Sequence, residues 1–279
     1  MSDLVAVTYA SEDNYHLHRL QTSAAYHGID LRVLGLGDPW NSLLQKLDGV
    51  LGFLQEFAGD QVVMFVDGYD TVFLKPSDVI LDRFHAFDSP VVFSAERCFY
   101  CPGQESIRED YPPSPTPYRY LNSGSYVGNA GHLVALVAKI LQRREGYSDQ
   151  ALFSRHFVEH PGEITLDYQT ELFVGTSGRP YEEDFVITDG ALVNKETGSR
   201  PCVLHTPGKY FGVLEFYSRQ LPFYADVKWS HMRPRIFRQI VGSYLGLRLY
   251  RALKGSGLVL GEQGCARANF AGLAERFTK

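Results

Sequence analysis

The chain has 279 residues, 44% of them hydrophobic, and a formal net charge of −5. That supplies a sizeable core and points to one large α/β unit rather than two small ones. The acidic balance, with no long basic run outside the C-terminal region, argues against a nucleic-acid partner, and no stretch reaches the roughly 18 apolar residues of a membrane-spanning helix. Met1 to Thr8 enters a strand at once, without a basic-then-apolar leader, so a cytoplasmic location is expected. Cys98, Cys101, Cys202 and Cys265 make one C-x-x-C and no zinc site, and are expected to be free thiols, a Cys98–Cys101 redox pair being the alternative.

In chain order, Leu4 to Thr8 reads as a strand, His16 to His27 as a helix stopped by Gly28, and Leu31 to Leu34 as a second strand. Together they make a β-α-β unit. Gly35 to Trp40 is a loop. From Leu43 to Phe57, Leu43, Leu44, Leu47, Val50, Leu51, Leu54 and Phe57 follow a helical period with one face inward. Val62 to Val66 is an unbroken apolar run that suits a strand buried on both faces of a parallel sheet. Alternation of this kind predicts a doubly wound sheet with helices on both faces.

Val91 to Glu96 is another apolar run ending in an acid. Residues 97 to 119 are irregular and proline-rich, and a loop of that length is usually functional. Tyr120 to Gly128 returns to the core, Leu133 to Leu141 and Ala151 to Phe157 are helical, and residues 164 to 205 hold short strands. Arg235 to Lys254 is a basic amphipathic helix, either docked on the main domain or making a peripheral membrane contact.

Chemistry concentrates where the run Val62 to Val66 ends in Asp67-Gly68-Tyr69-Asp70. Open α/β sheets bind ligands outside the carboxyl ends of their strands. Two carboxylates there suit a hard divalent cation able to hold a diphosphate. Gly68 eases the turn that brings them together. His205, directly after the apolar Val203-Leu204, is the imidazole that would tilt the choice from Mg²⁺ towards Mn²⁺. Each residue has a plainer alternative: a turn cap for Asp70, a surface or core histidine for His205, a helix N-cap for Asp149, simple packing for Tyr69.

Several segments, taken in order, resemble the glycosyltransferase domain of the multifunctional procollagen lysyl hydroxylases. They are Leu34 to Trp40, Phe65 to Asp70, Val92 to Glu96, Tyr120 to Gly124, Asp149 to Phe153, Leu166-Asp167, and His205 with Gly208. The resemblance covers roughly residues 4 to 215. It implies a GT-A type, Rossmann-like mixed sheet flanked by helices over 1–225, with a C-terminal helical extension over 226–279. It also implies transfer of a hexose from UDP-glucose or UDP-galactose to a hydroxyl acceptor, collagen-like hydroxylysine or its galactoside.

Carried over residue by residue, Asp67, Asp70 and His205 would hold Mn²⁺, with Mg²⁺ as the substitute. Thr8, Trp40, Tyr69 and Asp67 would contact the nucleotide, with Glu96 and Gln150 in the same pocket. Asn122 and Asp149 would line the sugar and acceptor side, Asp149 as the base. Only five residues separate Trp40 from Lys46, so the family's glycine-rich loop is shortened and Lys46 is a minor nucleotide candidate. Ser148 stands where the family has an acidic run. The competing expectations are a catalytically weak nucleotide-sugar binding protein, a transferase acting on a non-collagen glycan or lipid, and a metal-dependent phosphoesterase.

Overall fold

A computed structural model describes residues 4–143, 148–176, 184–208 and 210–255, with side chains up to 245. Cys265 and the part of the expected extension beyond 255 lie outside the described residues. The chain opens with β1 (Leu4–Tyr9), α1 (Tyr15–Tyr26) and β2 (Asp30–Leu34), with β1 and β2 parallel. Asn14 caps α1 by accepting from the amides of His16 and Leu17. Past its other end Gly28 takes φ +66°, the left-handed geometry that stops helices. Then come α2 (Leu43–Leu54), β3 (Val62–Val66), β4 (Thr71–Phe73), α3 (Ser77–Ala86) and β5 (Val91–Glu96). The predicted helix over 43–57 therefore ends at Leu54.

Residues 97–119 are irregular apart from a 3-10 turn at Glu105–Arg108. Next are β6 (Tyr120–Asn129), α4 (Ala130–Arg143), α5 (Asp149–Glu159), β7 (Thr165–Asp167), β8 (Phe173–Gly175), β9 (Phe185–Thr188), β10 (Ala191–Asn194) and β11 (Val203–His205). They are followed by α6 (Phe211–Ser218) and α7 (Pro234–Gly255).

Six strands form a mixed sheet in the order β2-β1-β3-β6-β5-β7. The expected all-parallel setting of β3 holds on only one side: β3 is parallel to β1 and antiparallel to β6. An apolar run reports burial on both faces, whatever the direction of the neighbour. Alternate side chains of β3 go to opposite faces. Val63 and Phe65 join the core under α2, α4 and α5. Val62, Met64 and Val66 join the core under α1 and α3. Each such buried Val or Phe contributes about 1.5–3 kcal/mol. Tyr126 stacks between Phe65 and Phe93, with ring centroids 4.9 and 4.6 Å away.

Two features shape the end of the sheet where β3 stops. The β5–β6 ladder jumps from Phe93↔Tyr126 to Ser94↔Asn122, so Ser123, Gly124 and Ser125 are extra residues that bulge from β6. Bulges re-aim side chains beside functional sites. A second sheet, ordered β4-β11-β8, pairs His205 with Thr71 across antiparallel strands. Asp167 supports this sheet, since its carboxylate accepts from the amides of Glu171, Leu172 and Phe173 at the entry to β8. Burial pushes the Asp167 carboxyl up to about 6 despite those donors.

The C-terminal elements are tied back to the first helix. Arg19 on α1, fully buried, donates to Glu215 on α6 at 3.0 Å and to the Tyr69 carbonyl at 3.4 Å. Glu215 also accepts from Tyr15 at 3.1 Å, from Arg219 at 2.9 Å, and from Tyr224. Burial alone would raise the Glu215 pKa, but Arg19 and these donors hold it below the usual carboxylate range.

Candidate active site

β4 begins directly after Asp70, and its pairing with β11 sets His205 opposite Thr71. That register is why a distant imidazole reaches the Asp67–Asp70 turn. The turn itself is held by backbone hydrogen bonds. The Asp67 amide donates to the Gly124 carbonyl at 2.8 Å, and the Thr206 amide to the Asp70 carbonyl at 2.8 Å. The Thr71 hydroxyl donates to the Asp67 carbonyl.

The three predicted ligands converge. His205 Nε2 stands 3.5 Å from Asp70 Oδ1 and 3.8 Å from Asp67 Oδ2. One donor atom from each of the three lies within 4.8 Å of the others. Neither nitrogen of the buried His205 ring makes a hydrogen bond. Its charge partners in the described structure are the two carboxylates, and a cation shared among the three groups would satisfy ring and carboxylates together. Two carboxylates and an imidazole make a donor set able to hold a divalent metal ion. Burial depresses the His205 pKa, but the Asp70 and then the Asp67 carboxylate outweigh it and leave it raised; the charge of Glu96 adds to them.

Gly124 makes the convergence possible. A Cβ there would stand 2.2 Å from His205 Cε1 and 2.7 Å from Asp67 Oδ2. Gly124→Ala is therefore expected to displace the imidazole and weaken metal binding at least about tenfold, in line with losses at residues that orient metal ligands. Calorimetric titration with Mn²⁺ would measure the loss; unchanged affinity would mean the three ligands do not meet as described.

The residue that organises the site is one the sequence reading ranked low. Lys46 on α2 is buried, with Nζ 2.9 Å from Asp67 Oδ1 and 2.9 Å from Asp149 Oδ2. Its ammonium also lies 5.4 Å from the centre of the Phe65 ring. Burial would lower its pKa, but the Asp149 and Asp67 carboxylates hold it above the usual lysine range. A signal was present in the helix pattern. Lys46, Val50 and Leu54 share one stripe at i, i+4, i+8, so a lysine sits where an apolar residue belongs.

Asp149 is buried and also accepts from Ser123 at 2.9 Å. Its alternative as a helix N-cap is corrected: Ser148 is the cap, accepting from the Ala151 amide, and Asp149 occupies the first turn of α5. An acid in that turn suits the positive end of the helix. Asn122 Oδ1 accepts from the Gly124 amide at 2.9 Å and so braces the bulge. Glu96 accepts from Gln150 Nε2 at 2.8 Å, and the same nitrogen donates to the Tyr100 carbonyl at 3.0 Å.

The nucleotide candidates are spread over β1, the loop after β2 and the turn after β3. Thr8 Oγ1 is buried without a hydrogen bond and lies 3.0 Å from where a side chain at Gly68 would begin. The Tyr69 hydroxyl accepts from the Glu12 amide at 2.8 Å, which ties the turn to the loop after β1. Trp40 is half exposed, its ring 6.0 Å from that of Tyr9. Cys98, Cys101 and Cys202 form no disulfide, so Cys98 and Cys101 are not a bonded pair.

The mixed sheet flanked by helices, with Asp67, Asp70 and His205 gathered where β3 ends, is that of a glycosyltransferase domain. The chain belongs to the PLOD GT domain family, whose profile matches residues 1–232.

The multifunctional procollagen lysine hydroxylase and glycosyltransferase of Caenorhabditis elegans is 29% identical over 247 residues, covering 79% of this chain and 32% of that protein. The rat procollagen-lysine,2-oxoglutarate 5-dioxygenase 1 is 30% identical over 190 residues, covering 63% of this chain and 26% of that protein. An uncharacterized protein of Acanthamoeba polyphaga mimivirus is 30% identical over 200 residues, covering 68% of this chain and 42% of that protein. The matched part thus spans between about a quarter and two fifths of the length of these relatives.

Proposed function

We propose that this protein is a metal-dependent hexosyltransferase that uses UDP-glucose or UDP-galactose and Mn²⁺, with Mg²⁺ as a weaker substitute. The carrying observation is the convergence of the buried His205 imidazole with the Asp67 and Asp70 carboxylates. A divalent cation held there supplies Lewis-acid stabilisation to the departing diphosphate. The protein's own groups do the rest. Thr8, Trp40 and Tyr69 bind the nucleoside, Glu96 and Gln150 shape the sugar pocket, and Asn122 and Asp149 face the acceptor. Lys46 and Ser123 both engage Asp149 Oδ2, which leaves Oδ1 as the atom to receive or orient the acceptor's hydroxyl proton. The name of one relative joins procollagen lysine hydroxylation to glycosyl transfer, which supports a hydroxylysine-type acceptor.

Release of UDP from UDP-glucose and UDP-galactose, with and without Mn²⁺, tests this. Metal-dependent release is expected; intact UDP binding without turnover of any UDP-sugar would make the protein a nucleotide-sugar binder instead. Acidification gives a further expectation. The metal needs the neutral imidazole, and the His205 pKa in the metal-free protein is raised from 6.5. Apparent Mn²⁺ affinity should therefore begin to fall while the pH is still above 6.5. Below the raised pKa it should drop about tenfold per pH unit. Flat affinity in calorimetry between neutral and mildly acid pH would remove His205 from the ligand set.

A further inference from the structure

The first turns of α7 carry two apolar stripes. Ile236 and Ile240 are buried on the side that packs on α6. The approach there is close, since a Cβ on Gly212 would stand 2.5 Å from Ser243 Oγ and 2.7 Å from the Ile240 carbonyl. The second stripe, Phe237, Val241, Tyr244 and Leu245, repeats at helical spacing and stays open, with Phe237 53% and Leu245 58% exposed. Trp229, 47% exposed, stands near it under the Arg219 guanidinium. A groove of about 350 Å³ runs between them, with Phe216 and Met232 in its wall.

Charge decides what covers this face. Between 233 and 255 the sequence holds Arg233, Arg235, Arg238, Arg248, Arg251 and Lys254 and no acidic residue, in a chain of net charge −5. Arg233, Arg235 and Arg238 are exposed. A second copy of the chain docking α7 on α7 would set basic residues against basic residues. A nucleic acid would satisfy the arginines and leave the aromatic stripe in water. An anionic lipid surface meets both requirements, because it attracts cations and accepts apolar side chains at the headgroup boundary. No helix among the described residues is long and apolar enough to cross a membrane, so the contact is a surface one.

We propose that α7 is an interfacial helix that docks the protein on anionic bilayers, with Phe237, Val241, Tyr244 and Leu245 entering the headgroup boundary. This does not depend on the donor sugar or on the metal.

Flotation of the full chain with vesicles tests it. The protein is expected to float with phosphatidylcholine–phosphatidylserine vesicles at low salt and to remain behind with pure phosphatidylcholine. Arg235→Gln and Arg238→Gln should each weaken partitioning about fivefold. The double variant Phe237→Ser with Leu245→Ser should no longer float while keeping its thermal unfolding midpoint and UDP binding. Equal flotation with both lipids, none with either, or full flotation of the Ser variant overturns the proposal. So does a dimer in light scattering that the Ser substitutions dissolve, which would make the stripe a self-interface.

Discussion

Asp70→Ala is expected to abolish metal-dependent UDP binding and to lower turnover by roughly a thousandfold, because a Lewis-acid metal is worth several kcal/mol in such a transfer. Asp70 is the carboxylate nearest to His205, at 3.5 Å, and its backbone is fixed by the Thr206 amide. Losing it removes one ligand and also relaxes the electrostatic pull on the imidazole. Asp70→Asn tests charge alone; it retains the shape and should fail nearly as badly. Calorimetry of UDP with and without Mn²⁺ reads both variants. Affinity equal to that of the unchanged protein would exclude Asp70 from the site, even if activity fell.

The second large effect concerns stability. Lys46→Met should strand two carboxylates that now share one ammonium, and breaking a buried ion pair costs about 3–5 kcal/mol. Asp149 accounts for most of this, since its side chain is 4% exposed, whereas Asp67 at 30% is partly solvated once released. The lower end, about 3 kcal/mol, is therefore expected, equivalent to roughly 6–12 °C in thermal midpoint. The double variant Lys46→Met with Asp149→Asn should recover part of the loss, which a double-mutant cycle would measure.

The pH dependence follows from the direction of the shift. The folded pKa of Lys46 is raised, so its contribution is fully present below the unfolded lysine value near about 10.4 and is lost only as pH rises through the folded value. Titration of Lys46 itself thus leaves stability unchanged between neutral and mildly alkaline pH. A loss well under about 1 kcal/mol for Lys46→Met would show that the bridge does not form.

Asp67 and His205 were legible because each follows apolar residues of a buried strand, where a polar residue has little reason to be except to meet something, and Asp70 because it stands one turn on from Asp67. Lys46 was harder. It interrupts the α2 stripe, and a single lysine in an amphipathic pattern reads as an edge residue until the facing carboxylates are known. The bulge at Ser123 to Ser125 left no local mark either. Ser, Gly and Ser fit a turn or a strand equally, and only the β5 register shows them to be surplus. Strand direction was hidden for the same physical reason: burial on two faces demands Val and Phe in parallel and antiparallel neighbours alike. The Ser148 cap shows a different limit. Ser and Asp both favour the N-cap, and adjacent candidates are separated only by backbone geometry.

The knot between Arg19 and Glu215 has a consequence for how the chain is made. Its partners are 196 positions apart, so nearly the whole family domain must leave the ribosome before the guanidinium meets its counter-charge. Until then the buried Arg19 guanidinium on α1 lacks its counter-charge. Arg19 also grips the Tyr69 carbonyl. The turn bearing Asp67 and Asp70 is thus finished from far downstream, and a nascent chain that stops short of α6 would contain every proposed metal ligand without the clasp that steadies them.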